Sequence, residues 1–402
     1  MRRVKVVTIA IAFMIVLIAF TAQPAAAATR AESLTTYISG RFDVERGGYS
    51  PPSDDVVRVD ATYGAILALD SLEILNNRPP PVNLTDVLEA LIDRQWTSNV
   101  AGNDLDKKRY GGISEYLLGP VSNAMTLMGI ELLLMLKAQA DYPDILTIDV
   151  NTTAILVFVN KTQTTSGGFC STTGENPDIV STYQALTIIQ LLDEYDEELN
   201  AWDWLANETK TMEWIESCRV GDAFKLNPNS VTPGVTPTAA GIMAFATLPS
   251  QSMTTVPDLQ AALAWIQARQ VDEADLVEYI GGFEEGNATG DPNFTSTYYA
   301  LKVLDMADAL TPVNESAVIN FIMNCQAKDG SFGQLPNLVE GNLVNSGRAC
   351  EMLNLFGSAV SILGSTIDPN TPGGVVLDWR LFVVVGIIVV ALVFAILGVR
   401  QD

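Results

Sequence analysis

Between two apolar ends, the chain alternates helix-period segments with glycine-rich loops. From Gly167 the residues run Gly-Gly-Phe, then a polar stretch containing Pro177, then Ser181-Thr182-Tyr183. Beyond that point Tyr183, Leu186, Ile189 and Leu192 share one helical face. The same order recurs where Gly47-Gly48-Tyr49 leads to Asp60-Ala61-Thr62-Tyr63, and where Gly281-Gly282-Phe283 leads to Ser296-Thr297-Tyr298. Self-similarity of this kind predicts about six helix–glycine loop–helix units. First helices are expected to end near Tyr37, Ile92, Val159, Ile215, Ile266 and Ile322, and second helices to begin near Asp60, Ser122, Ser181, Thr236, Ser296 and Asn345. The glycine loops open at Gly47, Gly111, Gly167, Gly221, Gly281 and Gly330, roughly 50 to 65 residues apart. The fourth is degenerate, with Gly221-Asp222-Ala223-Phe224 in place of Gly-Gly-Phe.

Within each unit glycine lets the chain turn sharply off the first helix. The following aromatic plugs the hairpin, and Ser or Thr before the second helix is expected to cap it. The second helices are more continuously apolar. Met125 to Leu136 has little polar face, as a helix buried on most sides requires. The first helices carry more charge, as outer ones would. An open solenoid and a closed ring both bury such hairpins, and periodicity alone does not choose between them.

The ends give a topology. Residues 1–28 read as a signal peptide, with basic Arg2, Arg3 and Lys5, an apolar core from Val6 to Phe20 and small residues from Ala25 to Ala28. Residues 380–400 contain the uncharged run Leu381–Val399, about 19 residues, long enough to span a bilayer. Residues 365–379, rich in Pro and Gly, read as a stalk between residues 29–364 and the span. The expected arrangement is a single-pass protein of the cell membrane with most of its mass extracytoplasmic. Asn83, Asn151, Asn160, Asn207, Asn287, Asn293 and Asn314 each begin an Asn-x-Ser/Thr pattern and are candidate glycosylation sites on that side.

Composition narrows the chemistry. The chain has 402 residues, is 48% hydrophobic and carries a net charge of -24, which excludes nucleic acid as a partner. There is no histidine, so a Ser-His-Asp triad and histidine zinc sites are excluded. The four cysteines are Cys170, Cys218, Cys325 and Cys350. In an exported protein an even count suggests disulfides, Cys170 with Cys218 at one end of neighbouring hairpins and Cys325 with Cys350 in the last unit, with four independent buried thiols as the alternative.

These repeats resemble those of the prenyltransferase and squalene-oxidocyclase superfamily. Gly-Gly-Phe followed by Ser-Thr-Tyr-x-Ala-Leu carries the resemblance, together with Cys325-Gln326-Ala327-Lys328-Asp329-Gly330-Ser331-Phe332. It covers about Tyr37 to Phe356. The resemblance implies an all-α, α/α toroid of six helical hairpins, with inner and outer barrels and a central cavity at the N-terminal ends of the inner helices. The catalytic patterns of the branches are missing. The zinc-site Asp-x-Cys becomes Asp60-Ala61-Thr62, no DxDD acid occurs, and no cysteine stands in Cys-Gly-Glu-Gln.

Candidate ligand-binding residues are therefore Asp60, Tyr63, Tyr183, Tyr298 and Arg348. Asp60 reads either as a cavity acid or as a helix cap, and is the catalytic candidate if the protein is an enzyme. The three tyrosines share one repeat position, where they can line a cavity or pack hairpins together. Arg348 is a candidate for an anion facing the cavity, and Arg58 with Lys107-Lys108-Arg109 a weaker clamp at the rim. Acidic loops from Thr172 to Asp178 and Glu284 to Asn293 offer oxygens but no EF-hand spacing. No metal or cofactor is expected. The favoured reading is a surface module that binds a lipid, glycan or protein ligand. The alternatives are a zinc-independent transferase or cyclase-like enzyme acting on an isoprenoid or lipid, and a structural envelope component.

Overall fold

The structure, a computed structural model, describes residues 27–76, 82–97, 104–138, 150–286 and 291–371. It divides into two units, Ala31–Ser365 and a smaller one formed by the chain up to Arg30 and from Thr366 onward. In the smaller unit Thr29 pairs with Ile367, and the Asp368 N–H donates to the Ala28 carbonyl at 2.9 Å. The expected signal segment up to residue 26, the stalk beyond Thr371, the span at 380–400 and Asn287 lie outside the described residues. Among the described residues no helix is long and apolar enough to cross a membrane.

The described helices, in chain order, are α1 (Arg30–Ser39), α2 (Val59–Ser71), α3 (Leu84–Ile92), α4 (Asp104–Arg109), α5 (Asn123–Lys137), α6 (Thr152–Thr162), α7 (Ile179–Tyr195), α8 (Glu208–Ser217), α9 (Val235–Thr247), α10 (Leu259–Gln267), α11 (Phe294–Met306), α12 (Glu315–Asn324), α13 (Leu343–Asn354) and α14 (Ala359–Gly364). Helices α2, α5, α7, α9, α11 and α13 pack each against the next, and α13 packs back against α2. The hairpins therefore close into a ring. The remaining helices of the hairpins form the outer layer, where α3, α6, α8, α10 and α12 each lie against an inner helix.

Burial follows sequence. In α9, Val-Thr-Pro-Thr-Ala-Ala-Gly-Ile-Met-Ala-Phe-Ala-Thr, nearly every residue is buried, whereas outer α8 buries only Thr211, Trp214 and Ile215. The closing contact between α2 and α13 is backbone to backbone. A Cβ on Gly64 would lie 2.2 Å from the Leu343 carbonyl oxygen, and one on Gly347 would lie 2.5 Å from that of Gly64. Glycine inside these two helices lets the ring close.

One small motif repeats six times. The residue ending each glycine loop, Tyr49, Ile113, Phe169, Phe224, Phe283 or Phe332, is buried. Its N–H donates to the hydroxyl of Thr62, Thr126, Thr182, Thr238, Thr297 or Ser346 at 2.9–3.1 Å. That hydroxyl in turn donates to the carbonyl four residues before it. The threonine of Ser-Thr-Tyr thus lies inside the helix and does not cap it, contrary to expectation. The caps stand four residues earlier, where the side chains of Ser122, Asp178, Asn293 and Asn342 accept a backbone N–H.

Glutamines join neighbouring hairpins. Gln95 Nε2 donates to the Asn151 carbonyl at 2.8 Å, and the Asn151 N–H returns a bond to Gln95 Oε1 at 2.7 Å. Gln270 makes the same exchange with Asn314. Gln163 reaches Thr211 and Ala206. In the fourth hairpin Arg219 takes the glutamine's place, pairing with Phe224 in the two-stranded ladder of β1 (Arg219–Val220) and β2 (Ala223–Phe224). It bridges to α10 through an ion pair with Asp258 at 2.9 Å.

The cysteine pairing is corrected. Cys170, Cys218, Cys325 and Cys350 are free and buried. Each is absorbed by its own hairpin: the Cys170 thiol donates to the Glu175 carbonyl at 2.8 Å, while burial pushes the Cys218 and Cys350 thiols up to about 12. Cys325 ends α12, and Cys350 lies within α13.

Candidate functional site

The second and ninth residues of an inner helix lie on one face, about 10 Å apart along the axis at 1.5 Å per residue. The second residues, from Asp60 in α2 to Val344 in α13, are all half-buried. The ninth residues Leu67, Glu131, Thr187, Lys302 and Glu351 are half-buried too, and only Met243 of α9 is sealed. Neighbouring inner helices and the outer layer cover the other faces, so this strip faces the interior of the ring. The axis is a chamber.

Charge collects in its third turn. Glu131, Lys302 and Glu351 come from α5, α11 and α13 at equivalent positions. One turn nearer the N-terminal end stand Tyr63, Tyr183, Tyr298, Tyr299 and Arg348. Lys302 Nζ donates to the Tyr298 hydroxyl at 3.1 Å, and the Arg348 guanidinium lies 4.5 Å over the Tyr298 ring. Tyr299 meets Tyr298 edge to face at 5.6 Å. The Tyr63 hydroxyl acts on the Glu131 carboxylate, favouring its charged form.

Each group feels the others. Burial raises the Glu131 carboxyl, and neighbouring Glu351 raises it further against the pull of Lys302 and Arg348. Burial likewise raises the phenols of Tyr63, Tyr298 and Tyr299. For Lys302 burial acts to lower the ammonium, but the oxygens of Tyr298, Tyr183, Glu351 and Glu131 outweigh it and hold it above its ordinary value.

Two members are left unspent. Among the described residues Arg348 has no hydrogen-bond acceptor and no carboxylate within ion-pair distance; its contact is the Tyr298 ring. Glu351 Oε2 is buried without a partner. The two lie three residues apart on α13, where opposite charges ordinarily pair.

The structure brings Tyr63, Tyr183, Tyr298 and Arg348 together and leaves Asp60 apart. Asp60 is a first-turn residue of α2, not its cap; Arg58 holds the cap position and makes no side-chain cap bond. Asp60 accepts from the Ala61 N–H at 2.7 Å. Its carboxyl is raised by burial, with Glu115 and Arg58 as the charges bearing on it. Arg58 does not join a basic clamp, because its guanidinium is held by Asp54 and by Glu115 at 2.5 Å. Arg109 lies over the Trp96 ring at 5.2 Å. In the acidic loops, Asp178 caps α7, and Glu285 binds the hydroxyls of Thr236 and Ser296, both at 2.6 Å.

Sequence reading missed Glu131, Lys302, Glu351 and Tyr299. The signal was present as a charge flanked by apolar residues at one repeat register: Gly-Ile-Glu131-Leu-Leu, Ala-Leu-Lys302-Val-Leu and Ala-Cys-Glu351-Met-Leu.

Comparisons with known proteins agree with this architecture. The sequence matches the family described as "Prenyltransferase alpha-alpha toroid domain" over residues 53–276 and 242–365. None of the curated proteins matches it. Among solved structures, the protein geranylgeranyltransferase-I of Candida albicans, complexed with GGPP, is 17% identical with a TM-score of 0.57, covering 81% of this chain and 90% of that one. A GH76 alpha-mannanase of Bacteroides thetaiotaomicron is 10% identical with a TM-score of 0.57, covering 84% and 96%. A type II terpene cyclase variant of Scytonema is 12% identical with a TM-score of 0.50, covering 83% and 97%. At these identities the likeness is one of fold, which transferases, glycosidases and cyclases share. With a family match across most of its length and a closed double ring of helices, the chain belongs to the prenyltransferase α/α toroid family.

Proposed function

We propose that this protein is held at the cell membrane by its C-terminal segment, with the ring extracytoplasmic, and that it binds a small ligand in the chamber of the ring. The observation that carries the reading is Arg348 and Glu351, two opposite charges in the interior with no partner of their own. Holding such groups in the interior without a hydrogen-bonded partner is unfavourable, and a purely structural axis would be better filled with Leu and Met. A ligand that engages them offsets that cost. The half-buried tyrosine-lined interior suits a small molecule better than a protein surface. Five of the six described sequon asparagines are exposed, in keeping with an extracytoplasmic ring.

The test is native mass spectrometry of the full chain, extracted in mild detergent from its own membrane with nothing added. A small molecule retained at near one-to-one stoichiometry, and lost in Arg348→Met, is the expected result. An empty ring from every preparation would overturn the reading.

A second reading, an enzyme acting on an isoprenoid or lipid, is favoured by Glu131 in particular. A buried carboxyl held toward its protonated form beside a tyrosine hydroxyl is equipped to donate a proton. On that reading Glu131→Gln keeps binding and abolishes conversion of the retained molecule.

A further inference from the structure

We propose that the ligand of this chamber is a zwitterion, its anionic group received by Arg348 and Lys302 and its ammonium by Glu351. This rests on the ligand-binding reading above and names the chemical class.

The argument is one of charge accounting in a confined space. Lys302 is engaged by the Tyr298 hydroxyl, and the Tyr63 hydroxyl favours the charged form of Glu131. Arg348 and Glu351 make no hydrogen bond or ion pair, although they stand three residues apart on α13. The guanidinium is turned over the Tyr298 ring, and the carboxylate acts on Arg348, Lys302, Glu131, Tyr63 and Tyr298 across space, with no hydrogen bond to any of them. A purely anionic ligand would satisfy Arg348 but set its charge beside Glu351. A purely cationic one would satisfy Glu351 and face Arg348 and Lys302. A neutral ligand would leave both charges without a hydrogen-bonded partner. A molecule carrying both signs meets each with its opposite, and the tyrosine faces around it favour an ammonium further. Arg348 presents the fork that carboxylates and phosphates fit. The same chemistry is offered by a free amino acid and by a phosphocholine-type headgroup.

The experiment measures binding to the full chain in maltoside micelles by isothermal titration. One arm uses leucine, N-acetyl-leucine and leucinamide; the other uses glycerophosphocholine, dimethyl phosphate and choline. In each arm the first compound carries both charges and the other two carry one. The expected result is that one zwitterion binds at least about tenfold tighter than both of its singly charged counterparts, as the loss of one buried charge-assisted bond implies. The arm in which it does so identifies the source. Glu351→Gln should erase the preference over the anionic counterpart, and Arg348→Lys should weaken binding less than Arg348→Met. The comparison on the unmodified protein stands even if a variant misfolds. The inference is overturned if a singly charged compound binds as well as its zwitterion, or if neither zwitterion binds. A molecule retained in native mass spectrometry would in those cases leave the ligand-binding reading intact.

Discussion

Gly281 and Gly221 occupy the same repeat position and should respond differently to the same substitution. Both are left-handed, with φ of 101° and 61°. A Cβ on Gly281 would sit 2.0 Å from the Ala317 carbonyl oxygen, whereas one on Gly221 meets nothing within 4 Å. Gly281→Ala is expected to cost more than about 3 kcal/mol, since backbone must move. Gly221→Ala should cost only the left-handed penalty, roughly 1–2 kcal/mol. Chemical denaturation of both variants checks this, and equal losses would contradict the packing described. Glu131 gives a second prediction at this scale. Its carboxyl is raised by burial, so the stability it contributes is full below the ordinary glutamate value and is lost as pH rises through the raised one. Glu131→Gln removes that loss. Its melting temperature should match the parent at acid pH and exceed it by a growing margin toward neutrality; a constant margin would sink the assignment. Tyr63, Tyr183 and Tyr298 were legible in the repeat, whereas Tyr299 was not. Nor were Glu131, Lys302 and Glu351, because a charge flanked by apolar residues reads as a surface position until the face toward the axis is known.

At the scale of the helix, the Asn-x-Thr patterns have a second cause. Asn83, Asn151, Asn207 and Asn314 cap outer helices α3, α6, α8 and α12, and Asn293 caps inner helix α11. Helix starts favour Asn followed by Thr or Ser, so capping alone generates the pattern read as glycosylation. The two roles separate cleanly at α6. Asn151→Ala should cost about 1 kcal/mol through loss of the cap bond to Ala154. Thr153→Ala removes the pattern, keeps the cap, and should leave stability unchanged. Thermal melts of protein made in a non-glycosylating host decide it, and a destabilising Thr153→Ala would contradict the capping account. The helix periods were readable because burial imposes them on sequence. The caps read at Asp178 and Ser122 stand, but Asp60 lies inside its helix, and the threonine of Ser-Thr-Tyr resembles a capping residue until the backbone path shows it holding the glycine loop.

At the scale of the whole ring, the junction of the fourth and fifth hairpins is built differently from those at Gln95, Gln163 and Gln270. It lacks the glutamine exchange, its glycine makes no close approach, and it relies on the Arg219–Asp258 ion pair, whose aspartate is 74% exposed. Exposed pairs weaken with salt. Hydrogen exchange should therefore be fastest in α8, β1, β2 and α10, and raising the ionic strength should speed it there while leaving α6 and α12 unchanged; uniform exchange around the ring would contradict this. Closure itself was beyond the periodicity, which fits a solenoid equally, and depended on Gly64 meeting Gly347 across nearly three hundred residues. The chamber follows from that closure, and its unpaired charges are the centre of the functional account. An experimental structure of the full chain, purified without added ligand, tests that centre most directly. The account predicts density for a bound molecule touching the Arg348 guanidinium and the Glu351 carboxylate. An axis in which Arg348 pairs with Glu351 and no molecule lies between them would contradict it.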